Sequence, residues 1–229
     1  MKKIFLSIGL LLTVSAATVV FNSCGDDKDE PKKETPTDPT DPTDPVTPID
    51  SATTDAGVVI NGIKWATRNV DEPGKFAATP ESAGKFYQWN RRLAWAATGS
   101  VIGWSNTAAA GITWEKANDP SPAGWRVPTT EEQRTLFDTA KVTSEWTTQN
   151  GVSGCKFTDK TTNNSLFLPA AGGRVYNDGT LGLAGYGLYW SSTQYDSDLA
   201  YRLNFDSDSG SAGWDDYRKR GFSVRAVAE

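Results

Sequence analysis

A break in composition near residue 53 decides where this chain can build a core. Residues 31–50 read P-K-K-E-T-P-T-D-P-T-D-P-T-D-P-V-T-P-I-D, with three successive Thr-Asp-Pro units and almost no apolar side chain. Such a tract buries too little surface to offset the entropy of ordering, and it favours extended polyproline II. Ahead of it lie Lys2 and Lys3, an apolar run over residues 4–21 and the small residue Ser23. That pattern reads as a secretory leader, too short for a comfortable bilayer crossing. A hydrophobic core must therefore come from residues 53–229, a length that suits one domain.

The tetrapeptide Phe21-Asn22-Ser23-Cys24 resembles a bacterial lipobox of the Bacteroidota type. The resemblance implies cleavage before Cys24, lipidation of that cysteine and a chain of about 205 residues. The acidic run Gly25-Asp26-Asp27-Lys28-Asp29-Glu30 looks like the signal that sends such lipoproteins to the outer face of the outer membrane. The expected organisation is a leader over 1–23, a lipidated and disordered tether over 24–52, and a domain over 53–229. At about 3.1 Å per residue the tether could hold the domain up to ~80 Å from its lipid. Membrane contact is then expected only through the lipid.

Charge and residue usage narrow the chemistry. Residues 51–229 carry nineteen acids against eighteen bases, so the folded part is nearly neutral, and the acidity sits in the tether. Without a basic excess to neutralise phosphates, nucleic acid is not an expected partner. The sequence has no histidine, which removes the commonest general base and the commonest transition-metal ligand. After lipidation of Cys24 only Cys155 remains, too few for an internal disulfide. In Gly154-Cys155-Lys156-Phe157 it reads as a buried small hydrophobe near a strand start.

Local patterns favour short strands and turns. Asn61-Gly62 between Val58-Val59-Ile60 and Ile63-Lys64-Trp65 predicts a tight hairpin. Thr129 and Glu132 fit a capping box that opens a helix, with Leu136, Phe137 and Ala140 as its apolar face. Leu199, Tyr201, Leu203 and Phe205 alternate with polar or small neighbours, predicting a strand with one buried side. Residues 221–227 repeat that alternation. The expected fold class is α+β, a small mixed or antiparallel sheet with few helices and long loops.

Several blocks then carry a family resemblance: N-G-I-K-W-A-T-R-N-V (61–70), N-D-P-S-P-A-G-W-R-V-P-T (118–129), L-P-A-A-G-G-R (168–174), Y-W-S-S-T (189–193), A-Y-R-L-N-F (200–205) and G-F-S-V-R-A-V (221–227). They resemble the Fibrobacter succinogenes major paralogous domain, a branch of the C-type-lectin-like fold distantly similar to sulfatase-modifying domains. The resemblance implies paired N- and C-terminal strands, variable long loops and a surface-attached protein, some members being pilus-associated. It implies no established chemistry. Ser121 and Ala226 stand where family members commonly carry cysteine, and Cys155 alone could not hold the copper of the sulfatase-modifying relatives.

All nine tryptophans lie in the domain. Trp65, Trp125 and Trp190 sit in strand-like family blocks and read as core. Trp104 and Trp214 lie in small-residue loops, where either loop anchoring or ligand contact is open. Trp104, Asn106, Tyr186, Tyr195 and Trp214 are the candidate ligand contacts. Asp206, Asp208 and Asp215 are a candidate calcium cluster set against an ordinary turn reading, and calcium is the only cofactor considered. No catalytic residue is singled out. The expected function is a non-catalytic surface binding or adhesion module for a glycan or protein ligand. The alternatives are a structural or pilus-associated subunit and, behind it, a surface hydrolase or modifying enzyme.

Overall fold

The computed structural model describes residues 51–229; the leader, Cys24 and nearly all of the tether lie outside the described residues. In chain order the strands are β1 (Val58–Ile60), β2 (Ile63–Trp65), β3 (Lys85–Tyr87), β4 (Ala94–Ala96), β5 (Trp125–Arg126), β6 (Val142–Gln149) and β7 (Val152–Asp159). There follow β8 (Ser165–Pro169), β9 (Gly173–Arg174), β10 (Leu181–Gly182), β11 (Gly187–Gln194), β12 (Leu199–Phe205), β13 (Gly210–Tyr217) and β14 (Val227–Ala228). A single α-helix, α1 (Thr130–Arg134), runs straight into a 3-10 turn over Thr135–Phe137. The architecture is mainly β, built of small antiparallel sheets with one short helix.

The expected local signals are met where one short motif decides the geometry. Asn61 and Gly62 both take positive φ, 46° and 82°, as a two-residue hairpin turn requires, and β1 pairs with β2 from Val58↔Trp65 to Ile60↔Ile63. Thr129 Oγ1 accepts the Glu132 amide and the Glu132 carboxylate accepts the Thr129 amide, completing the capping box. The helix ends after five residues, so Ala140 lies beyond it and is exposed, while Leu136 alone of the expected face is fully buried.

The first and last parts of the described residues share one sheet, ordered β1-β2-β14-β5, with Val227 facing Trp65 on one side and Arg126 on the other. Two three-stranded sheets, β6-β7-β8 and β11-β12-β13, complete the scaffold. The buried apolar side chains form two clusters. One gathers Trp89, Trp114, Trp125, Trp190, Phe222 and Val224; the other gathers Trp65, Phe157, Leu168, Tyr189, Leu203 and Phe205. Trp65 and Trp190 are essentially inaccessible, as core positions should be. At Gly187 a Cβ would stand 2.0 Å from Phe205 Cζ, so only glycine lets the β12 ring cross β11.

Two patterns depart from the alternation in the sequence. Along β12 the buried residues are Ala200, Leu203 and Phe205, while Leu199 and Tyr201 are half-buried. Ala200 joins one apolar cluster and Leu203 and Phe205 join the other, so opposite faces of β12 are buried at different points along the strand, with ladder shifts on β11 between Trp190 and Gln194 and on β13 opposite Arg202 and Leu203. Residues 221–226 form no continuous strand. They run through the middle of the molecule, buried on every side, and make bridges to Tyr87, Arg174 and Tyr189.

Long irregular segments are fastened by buried arginines rather than by ladders. Arg174 donates from Nε to Ala96 O at 2.8 Å, from Nη1 to Gly179 O at 2.5 Å and from Nη2 to Gly99 O at 2.9 Å. Arg218 donates to Ala109 O, Gly111 O and Leu199 O, to Gln194 Oε1 and to Asp196 O. Its guanidinium carbon lies 4.2 Å from the Trp89 ring centre. Arg225 donates to Asn69 Oδ1 and Ala66 O, and burial pulls its pKa down to about 10. A guanidinium offers five donors in a rigid fork, which is how one side chain can hold several loop carbonyls.

Candidate functional site

The five candidate contact residues do not converge. Trp104 is half-buried: its ring packs on Trp95 at 4.9 Å, and Nε1 donates to Tyr176 O at 3.1 Å. It also fills the space above Gly179 and Gly221, so it anchors the 97–107 loop. Asn106 is exposed in that loop, and Tyr186 is 39 % exposed before β11. Tyr195 stands edge-on against Tyr201 at 5.3 Å, whereas Trp214 faces Arg202 across the ladder. Tyr201 and Arg202 are adjacent on β12 and point to opposite faces, so Tyr195 and Trp214 flank different sides of the hairpin.

The carboxylate cluster also divides. Asp206 Oδ1 accepts the amides of Asp208 and Ser209 in the β12–β13 turn, which holds its carboxyl below the usual range. Asp215 pairs with Tyr201, four positions along β12 from the turn, roughly 13 Å at strand rise. The three aspartates therefore cannot share one ion; among the described residues no group of carboxylate or thiol side chains is arranged to hold a metal. No described helix is long and apolar enough to cross a membrane.

A different concavity is built where the 118–129 block meets the 90–116 segment. Its volume is about 610 Å³, with Trp114 and Trp125 in its wall and Arg92, Lys116, Arg126 and Glu229 around it. A second hollow of about 660 Å³, lined by Leu93, Ala108 to Gly111 and Glu115, adjoins it through Arg92. The floor is rigid for local reasons. Asp119 accepts the Ser121 amide on Oδ1 at 2.8 Å and the Val127 amide on Oδ2 at 2.9 Å, and the Trp125 amide donates to Pro122 O. The Trp114 indole is fixed by donation to Asn118 O at 3.0 Å and by an edge contact with Trp89. Both wall tryptophans are about nine-tenths buried, so Trp125 is a core residue, as expected, that also offers a strip of ring to the cleft.

Most charges around the cleft are already committed. Arg126 and Glu132 form a two-pronged pair at 2.8 and 2.5 Å. Burial pushes the Glu132 carboxyl up, but bonds from Arg126 and Thr129 outweigh it and hold it below the ordinary range. Lys116 pairs with Glu229 at 3.0 Å. Arg92 is exposed and makes no hydrogen bond or ion pair among the described residues. Ser121 Oγ is buried without a partner beside the same floor. Arg92, Trp114, Lys116 and Glu229 come together from distant parts of the chain, and no spacing in the sequence marks them as a group.

A family model described as a domain of unknown function (DUF8237) matches residues 143–227. That segment runs from β6 into β14 and holds both three-stranded sheets, while the cleft residues from Arg92 to Arg126 lie outside it. No curated protein and no solved structure matches the chain.

Proposed function

We propose that this domain is a non-catalytic binding module for carbohydrate, presented at the outer face of the cell by a lipid on Cys24 and the Thr-Asp-Pro tether. The observation that carries the reading is the Trp114–Trp125 cleft. Its aromatic edges and fixed polar groups stand ready to meet the C–H faces and hydroxyls of a sugar without reorganising first. Two carboxylates near it, Asp119 and Glu132, act structurally. Asp119 is filled by two amides and Glu132 by Arg126, which leaves neither free to serve as acid or base. A C-type-lectin-like fold is part of the proposal, supported by β1 and β2 sharing a sheet with β14 and by the long loops that bound the cleft.

Arg92 and Lys116 are the contact residues of first choice, because both are exposed at the cleft and neither supports the core. A glycan and mucin array with the soluble domain from Ser51 to Glu229 tests the reading. Hits should weaken in Arg92→Ala and Lys116→Ala and persist in Trp214→Ala and in chelator. Silence across the array, or hits indifferent to both cleft substitutions, would sink it.

A further inference from the structure

An open sheet edge invites another strand, and folded proteins usually blunt such edges by shortness, bulges, charge, proline or a covering segment. Most free edges here are blunted. β1 has three residues and runs beside β8, and β8 ends on Pro169. β11 is covered along its outer side, where Trp190 N donates to Ser223 O, Ser223 N to Leu188 O and Ser192 N to Pro128 O. β13 is bulged at Gly213 beneath the Arg134 guanidinium and carries Asp215 and Asp216. β3, β4, β5, β9 and β10 have two or three residues each.

β6 differs from all of these. It keeps an unbroken register with β7 over eight residues, Val142↔Asp159 to Gln149↔Val152, about 27 Å of strand. It has no bulge, no proline and no basic residue, and Glu145 is its one charge. Threonines at 143, 147 and 148 supply β-branched side chains that suit a strand. Beyond the β7 ladder, the main-chain groups from Thr143 to Gln149 make no hydrogen bond among the described residues.

We infer that β6 is an assembly edge whose partner is β6 of a second copy of this chain, paired antiparallel across a two-fold axis at Trp146. The charge pattern selects that register. With Trp146 on the axis, Glu145 faces the partner's Thr147, Ser144 faces the partner's Thr148, and inward residues meet only inward residues. An axis at residue 145 would set Glu145 against itself. An axis between 145 and 146 would set Glu145 against the partner's Trp146, on the side where Trp146 packs near Phe205 at 6.3 Å. The result is one six-stranded sheet, β8-β7-β6 continued by its symmetry mate, and a closed dimer. This inference does not rest on the carbohydrate reading.

Sedimentation equilibrium of the Ser51–Glu229 domain tests it, because the domain's first hairpin and its last strand share one sheet within it. A reversible dimer is expected. Thr147→Glu sets one acid against the partner's Glu145 at each end of the pairing, two repulsions in all, and should raise the dissociation constant about tenfold. Adding Glu145→Lys to that variant replaces each repulsion with an opposite-charge pair and should restore the dimer. Both side chains reach solvent, so at concentrations where every protein is monomeric Thr147→Glu should melt with the parent, while Glu145→Lys, facing Lys156 across the β7 ladder, should melt slightly lower. A monomer at every concentration up to ~1 mM, a dimer indifferent to Thr147→Glu, or no rescue by the double substitution would overturn the inference.

Discussion

Replacing Arg218 with methionine tests whether buried guanidinium forks, rather than local turn chemistry, hold the long loops. Arg218 is 1 % exposed and joins three separate segments: the 109–111 loop, the end of β11 with the Asp196 turn, and the start of β12. Methionine keeps much of the length and packing of the stem but removes every donor. Two or three carbonyls would be left unsatisfied, at about 1–2 kcal/mol each, since some can turn to water. Loss of the contact with Trp89 adds about 1 kcal/mol. The expected destabilisation is about 3–7 kcal/mol, which for a domain of this size lowers the thermal midpoint by roughly 10–20 °C. Arg218→Lys keeps the charge but cannot span the acceptors, so it should lose at least half as much. Differential scanning calorimetry of the three proteins reads the effect. A fall of less than ~2 °C in the methionine variant would refute the reasoning, because the loops would then be held without the fork.

The Glu132 carboxylate links the Arg126 pair to the capping box, and its pKa is lowered in the folded state. Its contribution is present above the unfolded pKa near 4.3 and is lost as pH falls through the lower folded value. Glu132→Gln should therefore destabilise the domain at pH 7 by about 1–2 kcal/mol and by much less near pH 2; an equal loss at both would contradict the ion-pair account. Burial pushes the Cys155 thiol up to about 12, so in the folded domain at pH 8 it should resist a thiol reagent that labels it at once in denaturant. Rapid labelling of the native protein would show that the β7 core opens easily.

The parts of the fold legible in the sequence are those that one short motif decides. Asn61-Gly62 has a single comfortable conformation between β-prone residues, and Thr129 with Glu132 satisfies orphan helix amides by itself. Trp65 and Trp190 follow from sheer apolar size. The α+β expectation overstates the helix, because the capping box predicts an apolar face reaching Ala140, whereas α1 stops after one turn and a half. The run 221–227 alternates like a half-buried strand yet is buried throughout, since the neighbours that cover it come from residues 87, 174 and 189. Arginine forks leave no periodic trace at all: Arg174 reaches back to carbonyls near residue 97 and Arg218 to carbonyls near residue 110.

The candidate site was less legible for the same reason. Loop composition points to Trp104 and Trp214, but whether a loop aromatic packs inward depends on a partner far along the chain, and Trp104 finds Trp95 and Tyr176. The aspartates at 206, 208 and 215 are close in sequence and separated by the hairpin ladder that lies between them. The cleft, by contrast, joins Arg92, Trp114, Trp125 and Glu229 across more than a hundred residues.

The measurement closest to the central claim is calorimetric titration of the strongest array ligand into the Ser51–Glu229 domain and its Arg92→Ala variant. The account requires saturable binding at one site, weakened at least tenfold by the substitution and unchanged in chelator. Binding that survives Arg92→Ala at full affinity, or that disappears in chelator, would place the ligand elsewhere and contradict the assignment of the Trp114–Trp125 cleft.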